Sequence, residues 1–212
     1  MKKVFTDGII FDMDGTIWDN TPLFAASWER ACKDSGYQVE FTPKKLQGLF
    51  GKTMTDIADA CIPDDDPQKR YKTVKLCEEY EMDDLAKSTT DTIYPGLEDT
   101  LKALNKRVKL YIVSNCQSGY IETFLERSGL GYLFTDYICY GDNGKGKADN
   151  IRLIAEKNGI NKPVYIGDIQ SDKDACVAAG VDFIWAAYGY GNEVDSFAVK
   201  IDDIRQLDDV IE

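Results

Sequence analysis

The residues best suited to chemistry in this chain are aspartates placed at the ends of apolar runs. The first pair lies in Gly8-Ile9-Ile10-Phe11-Asp12-Met13-Asp14-Gly15-Thr16. Three consecutive apolar residues predict a strand buried on both faces, as in a parallel sheet. The strand delivers Asp12 and Asp14 and stops at Gly15, which permits a sharp turn. Taken alone, the pair is equally an acidic strand end followed by a turn. Three later segments add to it: Ser114-Asn115, Lys147, and Gly167-Asp168-Ile169-Gln170-Ser171-Asp172. Each has a plain structural account of its own: a polar loop after a strand, a surface charge, or acids favoured at a helix N-terminus.

Composition narrows the chemistry. The chain has no histidine, which excludes every mechanism needing an imidazole base or ligand. Acid-base work near neutral pH must fall to carboxylates, lysine or tyrosine. Six cysteines are scattered without C-x-x-C spacing, against a zinc site or a disulfide framework. Cys116 follows Ser114-Asn115, but no imidazole is available to activate it. The net charge of −12 argues against a nucleic-acid partner, which requires a basic surface. It leaves room for a small phosphorylated metabolite held by a metal ion and a lysine. The apolar and charged fractions, 43% and 29%, are those of a soluble globular protein. No apolar run reaches the roughly 20 residues of a membrane span, and the opening Met1-Lys2-Lys3-Val4-Phe5-Thr6-Asp7 is too short and too quickly acidic for a signal peptide. A cytoplasmic protein is expected. The oligomeric state is not legible.

The elements that must position these groups alternate. Thr21-Pro22, Thr42-Pro43 and Asp66-Pro67 each read as an N-cap with proline at the first helical position. The expected helices run from Thr21 towards Gly36, from Thr42 to near Gly51, over 53–61, and from Asp66 to about Lys87. Residues 18–88 therefore read as an inserted helical subdomain, with an outgoing linker at Asp19-Asn20 and a return through Ser88-Thr89-Thr90 and Tyr94-Pro95-Gly96. A single α/β domain with extra helices is the alternative. From Gly96 onward strand and helix alternate: strands are expected at 109–113, 137–140, 163–166, 183–186 and near Val199, with a polar loop over 141–146 leading to Lys147. Such alternation implies α/β architecture, a doubly wound, Rossmann-like parallel sheet formed by 1–17 and 89–212.

In that topology right-handed crossovers bring the strand ends to one edge. Asp12, Asp14, Ser114, Asn115 and Asp168 then converge, and Lys147 enters from the loop before its helix. Converging aspartates repel: two charges ~4 Å apart cost on the order of 4 kcal/mol at an effective dielectric near 20. A hard divalent cation relieves this, and oxygen ligands suit Mg²⁺. Sharing a proton, with one raised pKa, is the alternative.

Together FDMDGT at 11–16, SN at 114–115, Lys147 and GDIQSD at 167–172 resemble, in order, the haloacid dehalogenase-like hydrolase superfamily. The resemblance is to its phosphoglycolate phosphatase-like and beta-phosphoglucomutase-like branch, with 18–88 in the place of a helical cap over the active site. It implies a Mg²⁺-dependent phosphatase acting through an aspartyl-phosphate. Asp12 would be nucleophile and metal ligand. Asp14 would be general acid and base, its backbone carbonyl a further ligand. Ser114, with Asn115 and the backbone N–H groups of Asp14 and Gly15, would bind the phosphoryl group, and Lys147 would neutralise it. Asp168 would complete the metal ligands and Asp172 would orient a ligand water or Lys147. Lys145 rivals Lys147, but Leu153, six residues beyond Lys147, fits the family pattern better. Ala148 stands where close relatives often carry proline. Haloalkanoate dehalogenases lack the second aspartate, so Asp14 favours phosphoryl transfer. A hexose phosphomutase on the same scaffold is the alternative, and a phospho-aspartate receiver module is a non-catalytic third. Lys52 and Tyr71 are candidates for substrate selection within the helical block.

Overall fold

The computed structural model describes residues 2–89 and 92–212. In chain order the strands are β1 (Gly8–Phe11), β2 (Lys109–Ser114), β3 (Phe134–Cys139), β4 (Pro163–Gly167), β5 (Asp182–Ala186) and β6 (Val199–Ile201). The helices are α1 (Thr21–Asp34), α2 (Pro43–Gln47), α3 (Met54–Cys61), α4 (Pro67–Lys87), α5 (Leu97–Leu104), α6 (Tyr120–Ser128), α7 (Tyr140–Asn143), α8 (Lys147–Asn158), α9 (Gln170–Ala179) and α10 (Leu207–Val210). The chain divides into two compact units, Met1–Asp19 with Ile93–Glu212, and Asn20–Thr92. Of the expected return linker, Thr90 lies outside the described residues.

The first unit is a six-stranded, all-parallel sheet in the order β3-β2-β1-β4-β5-β6. The doubly wound α/β expectation is met. β1 is fully buried, so every one of its residues faces a packed layer, as its unbroken apolar run requires. On one face Ile10, Tyr111, Val113, Tyr165 and Phe183 pack with Ile151 and Ile154 of α8 and Cys176 of α9. The other face turns Phe11 against Phe134, and Phe134 meets Phe124 of α6, both pairs with ring centroids 6.3 Å apart. Alternation of period two along the strands divides the two layers.

The second unit consists of α1 to α4. α1 and α4 pack together through Trp28, whose Nε1–H donates to Glu81 at 2.7 Å, and through Ser27, which donates to Asp84 at 2.5 Å. Thr92 donates to Asn20 at 2.7 Å, joining the two ends of the unit. Thr42, Thr53 and Asp66 cap α2, α3 and α4 with their side-chain oxygens.

Several boundaries differ from expectation for local reasons. Asn20, rather than Thr21, occupies the N-cap position of α1, and it makes no side-chain cap bond. α2 stops at Gln47, well short of Gly51. β3 starts at Phe134, three residues before the expected Tyr137, because it is an edge strand, half exposed, whose residues need not be uniformly apolar. The expected loop at 141–146 begins as the short helix α7, where Asp142 accepts the N–H of Cys139 at 2.9 Å. Lys147 is the first residue of α8 and not part of the preceding loop.

Ile10 is wholly buried in the central strand. Ile10→Ala is expected to cost about 2–5 kcal/mol and Ile10→Val about 0.5–1.5 kcal/mol. Denaturant unfolding of the three proteins measures the ordering; equal midpoints for wild type and Ile10→Ala would contradict this packing.

Candidate active site

The strand order reverses direction at β1: the chain builds outward through β2 and β3, then returns to place β4 on the other side of β1. Ligands in such sheets bind at this crevice, beyond the carboxyl ends of the strands. Phe11 is in register with Ile112 and Ile166, so Asp12, Ser114 and Asp168 emerge at the same edge. Ser114 closes β2 opposite Cys139, and Asn115 follows it, partly buried.

The turn after β1 is tight. Gly15 has φ +83°, and its N–H donates to the carbonyl of Trp18 at 2.9 Å. That N–H is engaged within the turn, a bond any residue but proline could make. What this position requires instead is the absence of a side chain: a Cβ on Gly15 would collide with Oδ2 of Asp168.

Lys147 is the electrostatic centre. Its Nζ lies 2.8 Å from Asp12 Oδ1 and 2.5 Å from Asp172 Oδ1, and all three side chains are buried. Asp172 Oδ2 accepts the N–H groups of Asp168 and Ile169 at 3.1 and 3.2 Å. Both oxygens of Asp172 are thus occupied in holding Lys147 and the β4–α9 turn. Asp168 accepts the N–H of Tyr190 on Oδ2 at 2.6 Å, while its carbonyl accepts Trp185 Nε1–H at 2.9 Å. Asp14 is only partly shielded, and its Oδ1 accepts the Tyr120 hydroxyl at 2.7 Å. Lys145, the rival lysine, is exposed.

Burial dominates the titration of the three aspartates Asp12, Asp14 and Asp168. It raises Asp12 to about 6, reinforced by Asp172 and opposed by Lys147. It raises Asp14 to about 7, against the pull of the Tyr120 hydrogen bond. Asp168 is pushed well above the usual carboxylate range by burial, then by Asp172 and Asp12. For Lys147 burial acts downward, but Asp12 and Asp172 outweigh it and keep the ammonium charged.

The donor set suits a hard cation. Among the described residues, Asp12, Asp168 and Asp172 form a buried group whose nearest oxygens all lie within 4.8 Å of one another. One ammonium faces three carboxylates there, and Asp168 Oδ1 is buried with no hydrogen-bond partner among the described residues. An orphaned carboxylate oxygen in a site of excess negative charge matches the ligand chemistry of a hard divalent cation.

The haloacid dehalogenase-like hydrolase family model matches residues 9–186. The chain belongs to that family. Among curated relatives in this family, the phosphoglycolate phosphatase of Pseudomonas putida is 26% identical, over 94% of this chain and 77% of its own length. That of Aliivibrio fischeri is 26% identical over 87% and 85%. Solved structures share the fold: a haloacid dehalogenase-like family protein from Streptococcus pneumoniae superposes with a TM-score of 0.81 at 16% identity, covering 95% of this chain and 96% of the other. CbbY from Rhodobacter sphaeroides, in complex with phosphate, gives 0.80 at 18% identity with the same coverage.

Two contributors escaped the sequence expectations for this haloacid dehalogenase-like site. One is the Gly189-Tyr190-Gly191 loop, which presents the Tyr190 N–H to Asp168; a Cβ on Gly189 would strike the Gly15 carbonyl and Asp168. Its only sequence signal was a Gly-x-Gly soon after a strand. The other is Tyr120, three-dimensionally adjacent to Asp14 but 106 positions away in the chain.

Removing one member of a buried charge cluster costs about 3–5 kcal/mol, because the others are left uncompensated. Lys147→Met is expected to destabilise the protein by that order. Adding Asp12→Asn should recover part of the loss, which urea unfolding of both variants will show. A double variant less stable than the single one would contradict the pairing.

Proposed function

We propose that this enzyme is a Mg²⁺-dependent hydrolase of a small phosphate monoester, working through an aspartyl-phosphate on Asp12. The observation that carries the reading is the buried group of Asp12, Asp168 and Asp172 around the one ammonium of Lys147. Such a site holds excess negative charge ready for a cation and a nucleophilic carboxylate beside a fixed positive charge. The carboxylates of Asp12 and Asp168 and the backbone carbonyl of Asp14 would hold Mg²⁺, with Asp172 supporting them from behind. Bound there, the ion supplies positive charge that offsets both the aspartates and the phosphoryl oxygens.

The protein groups divide the remaining work. A carboxylate nucleophile needs no base to activate it, in keeping with a chain that has no histidine. Asp12 attacks phosphorus while Lys147 offsets the charge gathering on the phosphoryl oxygens. Asp14 protonates the departing alcohol, then takes a proton from the water that cleaves the aspartyl-phosphate. Its raised pKa, about 7, suits a group that must both give and take a proton near neutrality. Ser114 and Asn115 at the end of β2 donate to the phosphoryl group. The helical unit, 20–92, takes the part of a cap, with exposed Lys52 and Tyr71 as candidates for selecting the ester. The names of the relatives make 2-phosphoglycolate the first ester to try. No helix among the described residues is long and apolar enough to cross a membrane.

Released phosphate from an aryl phosphate tests the mechanism. Turnover is expected to vanish with chelator and return with Mg²⁺, and Asp12→Asn to abolish it while the melting transition is kept. Asp14→Asn should slow it by about 10²–10⁴-fold. Appreciable turnover by Asp12→Asn would exclude the covalent step. Interconversion of glucose 1-phosphate and 6-phosphate with little phosphate released would instead favour a mutase.

Metal binding has a readout independent of turnover. A ligand that binds only the folded state at 100 times its Kd stabilises by about 2.7 kcal/mol. Mg²⁺ is therefore expected to raise the melting temperature of the wild type and to leave Asp168→Asn almost unmoved. An equal rise in both proteins would remove Asp168 from the ligand set.

A further inference from the structure

The hydroxyl of Tyr120 touches the carboxylate on which the proposed acid step depends. Tyr120 is the first residue of α6, entered through Gly119 at φ +88°, and only 2% of its surface is exposed. Its ring centroid lies 5.5 Å from that of Trp18, and Trp18 lies 5.1 Å from Phe124, one helical turn beyond Tyr120. The hydroxyl is therefore carried on a ring that cannot swing without disturbing a buried aromatic stack. Asp14, by contrast, sits on a turn and is partly exposed. Left to itself, an aspartate carboxyl has a broad, two-fold torsional preference about χ2.

We propose that Tyr120 is the positioning residue for proton transfer by Asp14, its O–H fixing Oδ1 so that Oδ2 presents the proton to the leaving oxygen. This rests on the phosphatase reading above. In the step, the P–O ester bond breaks with its electron pair passing to the bridging oxygen. That oxygen takes the proton from Asp14 Oδ2 and departs as the alcohol, while the phosphoryl group bonds to Asp12. Asp14 is left as a carboxylate, still hydrogen-bonded by Tyr120, which keeps its own proton throughout. A phenol is suited to this: its O–H offers a single donor to one carboxylate oxygen.

The test is a series of substituted phenyl phosphates, from 4-nitrophenyl to 4-methoxyphenyl, compared by kcat/KM in the Mg²⁺-loaded wild type, Tyr120→Phe, Asp14→Asn and the double variant. Nitrophenolate leaves without protonation, whereas methoxyphenolate needs the acid. Tyr120→Phe keeps the ring and its packing, and its melting transition verifies the fold. The expected result is a loss of about tenfold for the methoxyphenyl ester and less than about threefold for the nitrophenyl ester. In the Asp14→Asn background, Tyr120→Phe should bring no further loss. A uniform loss along the series would mean a merely structural role or a direct phosphoryl contact, and would overturn the inference. So would no loss at all, or an additive loss in the double variant. A folded, Mg²⁺-loaded wild type that turns over no ester defeats the phosphatase reading itself, and is told apart by the inactivity of the parent enzyme.

Discussion

The constraint on which the structure depends is the burial of three carboxylates around one ammonium. Ions of this kind lose several kcal/mol each on leaving water, and mutual attraction repays it only when every remaining lone pair is satisfied. Asp172 meets the condition: Lys147 takes one oxygen and two backbone N–H groups take the other. Asp12 meets it in part through Lys147 at 2.8 Å. Asp168 does not, since Oδ1 has no partner among the described residues. The imbalance is local and directional. Among the described residues the bonds in the group leave that one oxygen unserved, which makes the cluster costly as pure architecture and sensible as a cation site.

Meeting that constraint dictates much of the surrounding backbone. Asp168 can sit between the β1 turn and the Gly189–Gly191 loop only because neither Gly15 nor Gly189 carries a Cβ. The β4–α9 junction turns so that the N–H groups of Asp168 and Ile169 point back at Asp172, four and three residues ahead. Lys147 reaches the same point from the start of α8, whose Ile151 and Ile154 are anchored in the core beneath the sheet. The apolar layers thus fix the strand and helix ends, and those ends bring the charges to within hydrogen-bonding distance.

Most of the strands were legible because full burial leaves a clear mark: Ile9, Ile10 and Phe11, or Val164, Tyr165 and Ile166, have no polar position to accommodate. Asp12 and Asp168 were legible for a related reason, as charges abruptly ending such runs. β3 was only half legible, because an edge strand with one exposed side tolerates Thr135 and Asp136. α7 was not legible at all: Tyr140-Gly141-Asp142-Asn143 has turn composition, and its short helix is tied by the Asp142 bond to the Cys139 N–H and by long-range bonds from Gly141 N–H to the Cys116 carbonyl and from the Ser118 hydroxyl to Asp142. The part played by Tyr190 was hidden more deeply, since it acts on Asp168 through a backbone N–H that nearly any residue possesses. The bond from the Gly15 N–H to Trp18 was hidden in the same way.

The lack of histidine gives Tyr120 its significance. An imidazole that shuttles protons is usually held by a second group on its other nitrogen, so its orientation is fixed by chemistry built into the ring. In a carboxyl group the second oxygen is the corresponding handle. Asp14 must use one oxygen for the proton, which leaves the other as the only place a neighbour can hold it. A backbone N–H from the tight β1 turn could have served, but Gly15, Thr16 and Ile17 all donate within that turn. The donor must then come from elsewhere, be neutral, and be rigid. An aromatic hydroxyl set at the start of a helix and packed against Trp18 satisfies all three requirements. On this view the aromatic content around the β1 turn is part of the acid-base apparatus, and the Trp18–Tyr120–Phe124 stack does for Asp14 what a buried partner carboxylate does for a catalytic imidazole.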